Sequence, residues 1–145
     1  MTQNKESDVT KAVREAVVKS ADKGEDMAVS TKEISRNAMN KAISKAEPTK
    51  EKVEETARDI VRGVADGANE AGFKAGELTG KAVEGTVDGV REAGSQFAEF
   101  VKDASYAATE EAKAVSEKVK EVFGDAVKGF KEGVQEVKER KEENS

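Results

Sequence analysis

The chain has no cysteine, no histidine and no tryptophan, a single proline and a single leucine. Without cysteine there is no disulfide, no thiol nucleophile and no thiolate metal site. Without histidine the usual general base at neutral pH is missing. Serines and threonines occur, but no base is placed to activate them. Carboxylates abound, yet at helical spacing on a wet face they lack the burial or special neighbour that a catalytic acid needs. The loop Asp22 to Asp26 is charged but lacks the spacing of a calcium loop, and no phosphate-binding or dinucleotide fingerprint is present. The chain is therefore expected not to be an enzyme and to hold no cofactor and no metal.

Aromatic residues make up 4% of the chain. Val, Leu, Ile and Phe total 27 of 145 residues, below the roughly 20% at which a packed core becomes doubtful. Charged residues reach 38%, but 25 bases nearly balance 30 acids, leaving a net charge of −5. That balance argues against a nucleic-acid binder, which needs a basic face, and against an acidic disordered tail. No run approaches 18 apolar residues, so no transmembrane segment is expected. The polar start, Met1 to Asp8, lacks the apolar core of a signal peptide, and the default expectation is a cytoplasmic protein.

What the chain does have is a period of eleven. From Val53, steps of eleven give Val64, Ala75, Thr86, Phe97, Ala108, Val119 and Phe130. From Ala57 they give Ala68, Thr79, Val90, Val101, Ala112, Phe123 and Val134, and from Ile60 they give Ala71, Ala82, Ala93, Ala104, Val115, Ala126 and Val137. Only Thr79 and Thr86 interrupt these apolar columns. The column from Glu55 (Asp66, Glu77, Asp88, Glu99, Glu110, Glu121, Glu132) is acidic throughout. Eleven residues over three turns is about 3.67 per turn, close to the natural helical period, so the stripe runs nearly straight along a helix. A heptad from Val53 meets Gly67, Lys74 and Lys81 and fails, and strand alternation fails as well.

The spacing predicts an all-α protein with three regions. Residues 1–47 carry two short helices, about 8–22 and 31–46. Gly24 is the candidate cap of the first, with an apolar face at Val9, Ala12, Val13, Ala16 and Val17. Ser30-Thr31-Lys32-Glu33 is a candidate capping box for the second, whose face is Ile34, Ala38, Ala42, Ile43 and Ala46. Residues 48–137 form one long amphipathic helix with the eleven-residue (hendecad) repeat, opened by Pro48 in its first turn. A bend in it is expected at Gly94-Ser95 or between Gly72 and Gly80. Residues 138–145 are a charged tail. Acid–base pairs such as Glu55/Arg58 support the helix. Phe73 and Tyr106 fall off the stripe, on its polar side, and mark a possible second contact surface.

The stripe is weak, because alanine contributes little apolar surface at roughly 25 cal/mol per Å². Eleven of the twelve glycines lie between Gly63 and Gly133, each costing a helix roughly 1 kcal/mol relative to alanine. In isolation such a helix is expected to be disordered in dilute water and to need a surface, a partner helix or drying. Gly63, Gly85 and Gly129 share one column and Gly67, Gly89 and Gly133 another, forming a small-residue edge beside the stripe. Two origins for this edge stand: close helix packing, or copying of a 22-residue unit, since the run Val61 to Gly72 returns as Val83 to Gly94.

The period and the Ala, Lys, Glu, Thr and Gly content of residues 53–137 resemble group 3 late-embryogenesis-abundant (LEA) proteins. They are also similar to the repeats of synucleins, with Lys131-Glu132-Gly133-Val134 matching the centre of that repeat and Asp88-Gly89-Val90 matching it in part. Two features depart from the LEA pattern: lysines are less regular at the stripe edges, and glycine is more frequent. The resemblance implies a chain that becomes helical on drying or on membranes and protects bilayers or proteins under stress, including desiccation. The expected partners are a lipid surface or partially unfolded proteins, met through Val53, Ile60, Val64, Val90, Phe97, Val101, Val119, Phe123 and Phe130. The alternatives are a structural protein that self-associates as a hendecad bundle along the glycine edge, and a coat for lipid or polymer granules.

Overall fold

The computed structural model describes residues 6–45 and 47–123, with side chains described as far as residue 115. The described residues form an all-α structure of five helices and contain no strand: α1 (Asp8–Asp22), α2 (Met27–Lys45), α3 (Lys50–Ala71), α4 (Ala75–Ala93) and α5 (Phe100–Phe123), with a 3-10 turn at Ser95–Phe97 before α5. The segments expected as a single long helix are thus divided among α3, α4 and α5. Ala46 and the tail 138–145 lie outside the described residues.

Local chemistry sets each boundary. Ser7 caps α1, its hydroxyl accepting from the Thr10 amide at 3.0 Å, which satisfies one of the free donors of a helix start. Gly24, the expected stop signal, follows α1 with φ of +73°. The second helix opens earlier than the capping box suggested. Asp26 accepts from the amides of Ala28 at 3.0 Å and Val29 at 3.3 Å, so the first turn forms ahead of Ser30, whose hydroxyl instead donates to Glu25 at 2.8 Å. Pro48 likewise lies outside the helix it was expected to open. Thr49 is the cap of α3, accepting from the Lys52 amide at 3.1 Å.

The rod breaks at two of the places the glycines offered. At Gly72 the backbone turns left-handed, φ +86°, and the Phe73 amide donates to the Ala68 carbonyl at 2.7 Å. This glycine-closed helix end uses a conformation an L side chain rarely adopts. Gly94, φ +140°, closes α4.

Successive helices run antiparallel, and alternate helices run parallel and pack on one another. Thr10 and Val17 of α1 lie against Gly63 and Gly67 of α3, and Lys32 and Met39 of α2 lie against Gly85 and Gly89 of α4, each pair in ascending order. Arg58 and Arg62 of α3 reach Glu110 and Glu111 of α5 in the same sense. The result is two parallel columns, α1–α3–α5 and α2–α4, with α5 also resting on α4. Within this stack α3 is buried on several sides: Val53, Ala57, Ile60, Val61, Val64, Ala65 and Ala68 are all nearly inaccessible. Val13, Val17, Met27, Met39, Ile43, Ala75, Leu78, Ala82, Val90, Ala104, Ala107 and Ala108 complete the described core, and Phe97, Phe100 and Val101 pack partly buried against it.

The α2 face also differs from expectation. Ile34, Ala38 and Ala42 are only partly buried, whereas Thr31, Ser35, Met39 and Ile43 point inward. Close approach to α4 favours small side chains over apolar ones at Thr31 and Ser35.

Candidate functional site

The stripe and the glycine edge are the features the sequence singled out. In this conformation Val53, Ile60, Val64 and Val90 lie in the core, and Phe97 and Val101 flank it. The first four are withdrawn from any surface, and Phe97 and Val101 are part-buried. Val119 and Phe123 fall in α5 beyond the described side chains, and Phe130, Gly129 and Gly133 lie outside the described residues. Phe73 and Tyr106 are exposed, at 41% and 61%, but stand apart from the stripe.

The four described edge glycines sit where two helices touch backbone to backbone. A Cβ built on Gly63 would lie 2.6 Å from the Thr10 carbonyl oxygen and 2.8 Å from Val13 Cβ. On Gly67 it would lie 2.9 Å from the Arg14 carbonyl oxygen and 2.8 Å from Val17 Cβ. Gly85 meets the Lys32 carbonyl and Ser35 Cβ, and Gly89 meets the Arg36 carbonyl and Met39 Cβ. Every contact of the second pair falls 22 residues after its counterpart in the first. The ion pairs obey the same shift: Arg14 reaches Glu70 and Arg36 reaches Glu92, both at 3.3 Å.

Val13, Val17 and Ile43 belong to the faces expected on α1 and α2 and are buried, whereas Thr10, Thr31, Ser35 and Met39, also buried there, were not singled out from sequence. A signal was present. Arg14, Ala16 and Lys19 return as Arg36, Ala38 and Lys41 at the same spacing of 22, so the repeat extends into the region set aside as separate short helices.

The two interfaces are not equally satisfied. In α1/α3 the Thr10 hydroxyl donates to the Asp59 carbonyl at 2.9 Å. In α2/α4 the hydroxyls of Thr31, Ser35 and Thr86 are buried and have no hydrogen-bond partner among the described residues. A buried, unpaired hydroxyl costs about 1–3 kcal/mol, so α2/α4 carries a penalty that the hydrogen-bonded Thr10 hydroxyl spares α1/α3.

Charge lies on the outside. Arg14 donates to both oxygens of Glu6, at 2.9 and 3.1 Å. That bond lowers the Glu6 pKa from its ordinary value and raises that of Arg14. Arg58, expected to pair with Glu55 in its own helix, reaches Glu110 of α5 at 3.3 Å. Hydrogen bonds from Tyr106 and Arg58 hold Glu110 below the usual carboxylate range. Burial pushes Asp59 up, against an opposing bond from Ser7. Among the described residues no group of three or more acids is placed to hold a metal ion. No described helix is long and apolar enough to cross a membrane.

Compared with protein-family models, with curated proteins and with solved structures, the chain matches none.

Proposed function

We propose that this is a non-catalytic protective protein that exchanges a self-packed helix stack for contact with an apolar surface, either lipid or exposed protein. One observation carries the reading: the stripe suited to lie on a surface is the same set of residues, Val53, Ile60, Val64 and Val90, that closes the core of the stack. The closed form is held by small contacts. Its core is largely alanine and valine, includes four glycines, and buries three unpaired hydroxyls. Opening therefore sacrifices little. An amphipathic helix laid on a bilayer would bury the same stripe in the interface while its charged face stays wet. On protein clients the stripe would cover exposed apolar patches, and the mixed charges would keep neighbours apart.

The test is far-UV circular dichroism and flotation with neutral and anionic vesicles. Helicity and stripe burial on vesicles, with loss of the interhelical contacts, are expected. If the chain neither binds vesicles of any charge or curvature nor suppresses aggregation of a partly unfolded client during drying, the proposal fails. Self-assembly along the glycine edge is less favoured, because α1 and α2 of the same chain already occupy Gly63, Gly67, Gly85 and Gly89.

A further inference from the structure

Each parallel helix pair obeys one register. Asn40 donates to the Gly89 carbonyl and Arg62, 22 residues later, pairs with Glu111. The α3/α5 contact thus continues the α2/α4 contact by one 22-residue unit. In it Ala107, fully buried, stands where Gly63 and Gly85 stand in the first two pairs. Every described helix with a successor two places on is covered by it: α1 by α3, α2 by α4, and α3 by α5. The described residues give α4 no such cover.

The face of α4 left open is the one the register assigns to a successor. Counterparts of Thr10, Arg14 and Val17 in α1, and of Lys32, Arg36 and Met39 in α2, fall at Gly76, Gly80 and Val83. Gly76 and Val83 are only part-buried and Gly80 is exposed, and a Cβ on Gly80 would meet nothing within 4 Å. Val17 and Met39, the counterparts of Val83, are fully buried. Val87 continues the part-exposed line, and Phe73 stands exposed just before it.

The chain contains one segment of the right position and pattern. Residues 124–145 carry the apolar columns onward at Ala126, Phe130, Val134 and Val137. They follow α5, whose described part closes at Phe123, and begin with Gly124, as Gly72 follows α3 and Gly94 follows α4. In the register of Arg62 and Glu111, the end of α5 is level with the α3–α4 turn, so the chain leaves α5 beside the first turn of α4. Gly129 and Gly133 fall in the columns of Gly63/Gly85 and Gly67/Gly89, and Glu132-Gly133 repeats Asp66-Gly67 and Asp88-Gly89. We infer that residues 124–145 of the same chain dock on the Gly76, Gly80, Val83 and Val87 face of α4. They run parallel to it, with Gly129 and Gly133 at the contact. The second column then becomes α2–α4–(124–145), matching α1–α3–α5.

The absence of native cysteine allows a direct test in the full-length chain. Val83→Cys is labelled with a thiol reagent, with and without Gly129→Leu and Gly133→Leu. Val29→Cys, at an exposed site, serves as the reference. The expected result is labelling of Val83→Cys at least ten-fold slower than the reference, independent of protein concentration and with monomeric mass, and a return toward the reference rate with the two leucines. Equal rapid labelling with and without the leucines overturns the inference. Protection that grows with concentration alongside a dimeric mass overturns it too, by making the occupant a second copy. Amide hydrogen exchange on the unsubstituted chain checks the same point without a cysteine. Slowed exchange over residues 126–137 that the leucines abolish supports docking, and exchange at the random-coil rate there overturns it.

Discussion

Gly67 and Val17 share a contact so close that a methyl on the glycine would sit 2.8 Å from the valine Cβ. The same geometry recurs at Gly89 and Met39, at 2.9 Å. Glycine at these positions is a packing requirement, and glycine at Gly80 is not. Gly67→Ala and Gly89→Ala gain roughly 1 kcal/mol of helix propensity but overpack the interface at a cost of about 1–3 kcal/mol. Both are expected to lower Tm, whereas Gly80→Ala, with only the propensity effect, should raise it. Thermal melts of the three variants, side by side, check the contrast. A Gly67→Ala chain as stable as Gly80→Ala would rule out the backbone contact.

Buried hydroxyls supply an opposite pair of substitutions. Thr31→Val and Thr86→Val each replace an unpaired buried oxygen with a methyl of similar shape and should stabilise the stack by about 1 kcal/mol. Thr10→Val removes the 2.9 Å bond to the Asp59 carbonyl and should destabilise by a similar amount. Denaturant midpoints at constant slope are the appropriate readout.

Stability and surface binding are opposed if opening precedes binding. The double variant Thr31→Val/Ser35→Ala, which removes two unpaired hydroxyls of α2 and leaves the stripe untouched, is more stable when closed by about 2 kcal/mol and should bind vesicles with apparent affinity lower by about thirty-fold. Vesicle titration followed by co-flotation measures this. Unchanged affinity would mean that binding does not require the stack to open.

The turn glycines act in the other direction. Gly72→Ala places a side chain at φ +86°, costing the closed form on the order of 1 kcal/mol. It also favours a helix continuous through α3 and α4. Lower stability in buffer, with helicity on vesicles equal to or above that of the native chain, is the expected outcome. Equal losses in both settings would mean that the break at Gly72 persists on the surface.

Two carboxylates titrate in opposite senses. Asp59 is raised by burial, so the folded chain holds its proton more tightly than the unfolded chain does. Its ionisation thus weakens the fold as pH rises from the ordinary carboxylate value through the raised one. Asp59→Asn should stabilise the protein at pH 7 and lose that advantage in acid. Glu110 is lowered, first by the Tyr106 hydroxyl and then by Arg58. Its contribution is present above the ordinary value and fades as pH falls through the lowered one. Tyr106→Phe should move the Glu110 titration back toward the ordinary range, as followed by carboxyl NMR.

Much of this arrangement was legible in the residues. The apolar columns identify helices and their inner faces, and Val53, Ile60, Val64 and Val90 sit together in the core. Gly24, Gly72 and Gly94 were marked as places to stop or bend. What the columns do not encode is helix length. An eleven-residue period gives the same inner face to one rod and to a stack of helices 22 residues apart. Nor does residue type separate the roles of glycine: Gly67 is helical and pressed against Val17, while Gly72, five residues on, is left-handed and ends the helix. Only a partner helix distinguishes them. The inward face of α2 was hidden for a related reason. Closeness to Gly85 and Gly89 made Ser35 and Thr31 better core residues than Ile34, against the usual ranking by hydrophobicity.

The constant 22-residue shift makes the protein a short one-dimensional array, in which most of the binding energy lies between nearest neighbours. Among the described residues α3 has neighbours on both sides in its column, while α1 has a successor alone. Melting is therefore expected to travel inward from the ends instead of striking all helices at once. Adding or deleting one unit would change the length of the array without requiring a new kind of interface.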